Sequence, residues 1–107
     1  MLSEENILNF VKNFEKTQES HPESLQVFKI NEKIFLIIHK NTTPLRIDVK
    51  CDKKLAKLLT SRYETVMPSQ LLGNTGIELV LTGQLPESEI QDLIFHSYHT
   101  TKLAQTS

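Results

Sequence analysis

Five apolar residues in a row, Ile34-Phe35-Leu36-Ile37-Ile38, constrain this chain more than any other stretch. The run is far short of the ~20 residues that span a bilayer. Its length and continuity suit a central strand, Lys33–His39, covered on both faces. The flanking sequence supplies neighbours. Upstream, Phe28 and Ile30 alternate with Val27 and Lys29 over 25–30, and Asn31-Glu32 forms a short turn into the central strand. Downstream, Asn41-Thr42-Thr43-Pro44 reads as a loop. Next comes the cleanest alternation in the chain, with Leu45, Ile47, Val49 and Cys51 facing one way and Arg46, Asp48 and Lys50 the other. That is a half-buried strand.

A sheet of this kind needs helices to cover it. Ser3 caps a first helix, Glu4 and Glu5 sit at its positive end, and Ile7, Phe10, Val11 and Phe14 form one stripe. The spacing predicts a helix over about 3–16, stopped before His21-Pro22. Asp52 is the N-cap of a short helix in which Leu55, Leu58 and Leu59 share a face, with Lys53, Lys54 and Lys57 on the wet side. A short strand near Val66-Met67 ends at Pro68, and residues 70–75 read as an irregular loop. Ile77, Leu79 and Leu81 alternate in a last strand. Gly83 marks the turn, and Pro86 takes the first position of a C-terminal helix carrying Ile90, Leu93, Ile94, Ser97, Tyr98 and Thr101 on one face. The order is α-β-β-β-α-β-β-α. It predicts a two-layer α+β fold, a mainly antiparallel five-stranded sheet with helices on one face.

The chain's 107 residues suit one domain over 1–107 with one core, free of metal or disulfide staples. Cys51 is alone, which excludes an internal disulfide and suits a reducing cytoplasm. The segment Met1-Leu2-Ser3-Glu4-Glu5 is acidic where a signal peptide is basic. The expected location is therefore the cytoplasm, away from membranes. Net charge is −1, but its distribution is uneven. Residues 1–24 set two lysines against five acids, and residues 63–107 one lysine against five. Residues 25–62 carry nine basic side chains against three acids. Such a segment attracts nucleic acid or an acidic partner through its local field, or it is a solvated face balancing acidic helices.

Reaction chemistry finds little support. His96 and His99 have a spacing that suits one metal ion, but a zinc site needs a further ligand, and no His-Glu-x-x-His run or second cysteine exists. No metal or cofactor is expected. His39 ends a strand and His21 precedes a proline, both structural placements. The alternation puts the Cys51 thiol inside, where thiols are inert. Glu87, Glu89 and Asp92 serve a helix start, and three glycines make no phosphate cradle. The expectation is a protein that is not an enzyme.

Four stretches, taken together, resemble the MmcQ/YjbR family. They are residues 27–35 (Val27-Phe28-Lys29-Ile30-Asn31-Glu32-Lys33-Ile34-Phe35), Leu45 to Lys50 with Asp52-Lys53-Lys54-Leu55-Ala56, Val66-Met67-Pro68-Ser69, and Gly83 to Ile90 running on to Ser97-Tyr98. The resemblance covers most of residues 5–100. It implies a CyaY-like or secretion-chaperone-like shape and the family's label of predicted DNA-binding proteins. The chain departs from the pattern before its last strand: Gln70-Leu71-Leu72-Gly73-Asn74-Thr75-Gly76-Ile77 has no basic or aromatic side chain. Phosphate contacts or base stacking by that loop do not carry over.

Two functions follow. In the first, nucleic acid is held through phosphate contacts by Lys29, Arg46, Lys50, Lys53, Lys54 and Lys57, mostly without sequence specificity. The alternative is a protein-interaction module or homodimer using an apolar open sheet face. That face presents either Ile34, Leu36 and Ile38 or Phe35, Ile37 and His39.

Overall fold

The structure, a computed structural model, describes residues 3–104, so Met1 and Leu2 of the acidic N-terminal segment lie outside it. Ser3 opens α1 (Glu4–Val11) with a reciprocal cap. Its Oγ accepts from the Asn6 N–H at 3.1 Å, and Asn6 Oδ1 accepts from the Ser3 N–H at 3.2 Å. The helix is shorter than the 3–16 expected. Phe14 continues its stripe in sequence, but the ring belongs to another contact, 4.6 Å from the Tyr98 ring. The Tyr98 hydroxyl donates to the Glu15 carbonyl at 2.7 Å, and Lys16 turns the chain with a φ of 62°.

That turn feeds a strand absent from the sequence-based expectation. β1 (Thr17–Ser20) pairs antiparallel with β2 (Leu25–Ile30), Thr17 opposite Ile30. It is polar and mostly exposed, so it carries no apolar alternation to announce it. β3 (Lys33–His39), β4 (Arg46–Lys50), α2 (Lys53–Arg62), β5 (Val66–Ser69), β6 (Gly73–Val80) and α3 (Glu87–Leu103) follow. Among the described residues the sheet has six strands in the order β1-β2-β3-β4-β6-β5, every neighbouring pair antiparallel, instead of five. Pro68 lies inside β5 without ending it, because β5 is an edge strand and needs no donor on its outer side. β6 begins at Gly73, inside the stretch expected to be a loop. Pro86 is the N-cap of α3, one position before the first helical residue.

The faces of the sheet differ. Leu36, Ile38, Ile47, Val49, Ile77 and Leu79 join Ile7 and Val11 of α1, Leu59 of α2 and Ile90, Leu93, Ile94 and Tyr98 of α3 in one buried cluster. α3 packs on β2, β3 and β4, and α2 on β5 and β6. Val27 and Ile37 alternate with this set and point to the opposite, helix-free face. Among the described residues no helix is long and apolar enough to cross a membrane.

A bulge links fold and helix. The β2–β3 register shifts between Phe28 and Lys29, so Phe35 is left over and joins Leu36 on the helix side. Its carbonyl accepts from the Ser97 hydroxyl at 2.6 Å, and Ser97 Oγ in turn accepts from the Lys50 N–H at 2.8 Å. Ser97 thus ties β3 to β4 from inside α3. Ser97→Ala removes the partner of two backbone groups at once and is expected to cost about 2 kcal/mol. The urea midpoint, falling by roughly 1–2 M at an ordinary slope, checks this.

Candidate functional site

The six basic residues expected to hold phosphate do not form one plane. Arg46, on the helix-free face of β4, sends both Nε and an Nη nitrogen to Glu78 Oε2 on β6. Its charge is committed within the protein. Lys29 stands on β2, opposite Ile34 and Gln18, on the far side of β3 from Arg46 and Lys50. The other four gather where β4 runs into α2. Lys50 Nζ donates to Thr75 Oγ1 at 3.1 Å and lines a recess of about 290 Å³ with Lys33. Asp52 caps α2, its carboxylate accepting from the Leu55 N–H at 2.9 Å. Lys53 and Lys57, one helical turn apart, line a groove of about 410 Å³ with Gly73 and Gly76 of β6. Lys54 is exposed on the same first turn. Among the described residues, no acid forms an ion pair with Lys50, Lys53, Lys54 or Lys57.

Glycine is required at the floor of that groove. A Cβ on Gly76 would stand 2.6 Å from Leu72 Cβ, and Gly73 holds a φ of +65°. The β5–β6 connection therefore folds tightly back, leaving α2 and its lysines as the rim.

The helix-free face holds something that alternation alone mislocates. Asp48, expected on the wet side with Arg46 and Lys50, is 0% exposed. Its Oδ1 lies 2.6 Å from His39 Nε2, and its Oδ2 accepts from Ser69 Oγ. Ser69 Oγ in turn accepts from the Leu72 N–H at 2.9 Å. Glu78 is buried directly opposite Asp48 in the β4–β6 ladder. Every buried side-chain polar atom among the described residues has a hydrogen-bond partner. Ser69 donates to the carboxylate and not to the imidazole, so Ser69 and His39 do not form a nucleophile–base pair. The sequence signal is an acid in the middle of each of two apolar strands, Ile47-Asp48-Val49 and Ile77-Glu78-Leu79.

Other expectations meet the structure directly. Val27 and Ile37 on the helix-free face are 5% and 3% exposed, and Leu36 and Ile38 point to the helices. Phe35 also joins the helix side. The apolar strip expected for a protein or homodimer contact is therefore covered. Cys51 is buried, and desolvation, with the charge of Asp52 adding to it, pushes its thiol up to about 11. It is protonated and unreactive at neutral pH. His96 and His99 do not converge: His99 stacks on Phe95 at 6.0 Å, while His96 Nε2 lies 4.0 Å from Asp52.

Comparison with known proteins adds the family. A family model described as YjbR matches residues 12–100, most of the chain. The chain belongs to the YjbR family. The matched segment holds the whole sheet and most of α3. Ser97 and Tyr98, the pair near the end of the resembling stretch, are a strand tie and an anchor for the α1–β1 turn. Among solved structures, the YjbR-family chain is similar to Deinococcus radiodurans protein DR2400, which has a DUF419 domain. The TM-score is 0.86 at 19% identity, over 92% of this chain and 77% of that one. A Pseudomonas syringae protein superposes with a TM-score of 0.77 at 20% identity, over 94% and 99% of the two chains. At these identities the likeness is one of fold. No curated protein matches the sequence.

Proposed function

We propose that this YjbR-family protein binds nucleic acid without catalysing a reaction, through phosphate contacts made by Lys50, Lys53, Lys54 and Lys57. One observation carries the reading: Lys50, Lys53, Lys54 and Lys57 follow one another where β4 runs into α2, none of them ion-paired among the described residues, with Lys53 and Lys57 on the rim of a groove. Unpaired lysines exchange bound counterions for phosphates at little cost, and that exchange drives nonspecific binding. Arg46 leaves the set because Glu78 holds it, and Lys29 leaves because it stands apart on β2. The buried lone thiol fits a cytoplasmic location.

Four contacts predict a log–log salt slope of roughly −3.6 on duplex DNA, against about −5 for all six. Lys53→Glu/Lys57→Glu should bring the slope to about −2 and weaken binding at least roughly tenfold at low salt. Lys29→Gln should change neither. Fluorescence anisotropy with a random-sequence duplex and a single strand, at two salt concentrations, measures both quantities. A flat salt response, or equal affinity in the double variant, rejects the proposal.

A further inference from the structure

We propose that His39, Asp48 and Glu78 form a site for one divalent transition-metal ion of the zinc class. The site is independent of the nucleic-acid reading and lies on the other side of the sheet from the α2 helix. The three residues come from β3, β4 and β6, and their ligand-type atoms lie within 4.8 Å of one another. Zinc holds nitrogen and oxygen ligands at about 2.0–2.2 Å, which places tetrahedral ligand atoms roughly 3.4 Å apart. His39 Nε2 and Asp48 Oδ1, now 2.6 Å apart, need to open by under about 1 Å while Glu78 closes in.

The electrostatics favour a cation there. Asp48 and Glu78 face each other across one ladder, where like charges repel, and both are buried. Arg46 is a single positive charge against two, and His39 adds a second only as imidazolium. A divalent ion in place of the proton between Nε2 and Oδ1 balances both carboxylates and lets the imidazole bind as a neutral ligand.

The surroundings are built for it. Ser69 holds Asp48 Oδ2, fixing the carboxylate so that Oδ1 points at the imidazole, and the Leu72 N–H holds Ser69. Such outer partners orient metal ligands. Both contacts from Arg46 fall on Glu78 Oε2, so Arg46 does not occupy the second oxygen. The His39 side chain is 16% exposed against 0% for Asp48, so the ion enters beside the imidazole. Three protein ligands with one accessible side leave a coordination position open.

The test is a zinc titration of the full-length protein after chelator treatment, read by competition with a chromophoric chelator. One zinc ion per chain is expected. His39→Gln keeps a donor for Asp48, and Glu78→Gln keeps an acceptor for Arg46, so both variants suit the fold. Each should weaken zinc at least roughly 100-fold, the upper end of what changing an outer partner alone costs. The His96→Ala/His99→Ala variant should bind as the parent does. Absence of one-to-one binding overturns the proposal, as does parent-like affinity in a folded His39→Gln or Glu78→Gln. Loss of binding in the His96/His99 variant also overturns it. Should the glutamine variants not fold, the imidazole NMR signals of the parent decide: zinc must shift His39, and shifts confined to His96 and His99 reject the site.

Discussion

Phe35→Ala is expected to lower stability by about 4 kcal/mol, the largest loss from any single side chain considered. Phe35 is fully buried at the β2–β3 bulge and contacts three other rings, with centroids at 5.3 Å (Tyr98), 6.2 Å (Phe14) and 6.4 Å (Phe28). Those rings belong to α3, the α1–β1 turn and β2, so the alanine cavity opens where three elements meet and none can close it alone. At about 4–8 °C per kcal/mol for a domain near this size, the melting temperature falls by roughly 20 °C. Phe95 provides the contrast. It belongs to the same aromatic group but is 51% exposed, so Phe95→Ala should cost no more than about 1 kcal/mol. Thermal unfolding of both variants by circular dichroism checks the pair, and similar losses would show that burial at the bulge is not what matters.

How far the fold could be read in advance follows from where apolar pattern and tertiary contact agree. The Ile34–Ile38 run, the 45–51 alternation and the stripe of α3 mark elements whose buried face is apolar, and all three appear in place. β1 escaped because Thr17-Gln18-Glu19-Ser20 sits at a sheet edge, satisfied by backbone pairing and a Gln26–Glu19 side-chain bond of 2.6 Å. α1 was overextended for the opposite reason. Phe14 keeps the helical period, yet its ring is buried through contacts with Tyr98 and Phe35 that exist only after the helix has ended. The start of β6 was hidden by Gly73 and Gly76, residues that usually weaken a strand and here permit a tight return beneath Leu72.

The candidate site was less legible, again for a physical reason. Alternation states which residues share a face but not whether that face is wet. On β4 the same row holds an arginine tied to glutamate, an aspartate sealed from water and a lysine reaching Thr75. Only the cross-strand register, which sets Asp48 against Glu78 and Arg46 against His39, distinguishes them. The lysines of α2 were easier, since Asp52 fixes the helix start and Leu55 and Leu59 face the core, although Leu58, expected on the same face, is 56% exposed.

Arg46→Met should destabilise the protein by about 3 kcal/mol, and Glu78→Gln by clearly less. The asymmetry comes from burial: the Arg46 side chain is 42% exposed and that of Glu78 is 6% exposed. Removing the guanidinium leaves a carboxylate with no water to solvate it, directly opposite a second buried carboxylate, a situation that typically costs 3–5 kcal/mol. The low end applies because Arg46 is partly solvated. Neutralising Glu78 removes the like-charge opposition and leaves an arginine that reaches solvent. Urea unfolding of both variants measures the difference, and an Arg46→Met loss no larger than that of Glu78→Gln contradicts the argument. The same variant also reports on the cluster beside it. With one positive charge fewer around Asp48 and Glu78, added zinc should restore part of the stability lost in Arg46→Met, by linkage between folding and ligand binding. Zinc should restore none of it when His39→Gln is added to the same chain.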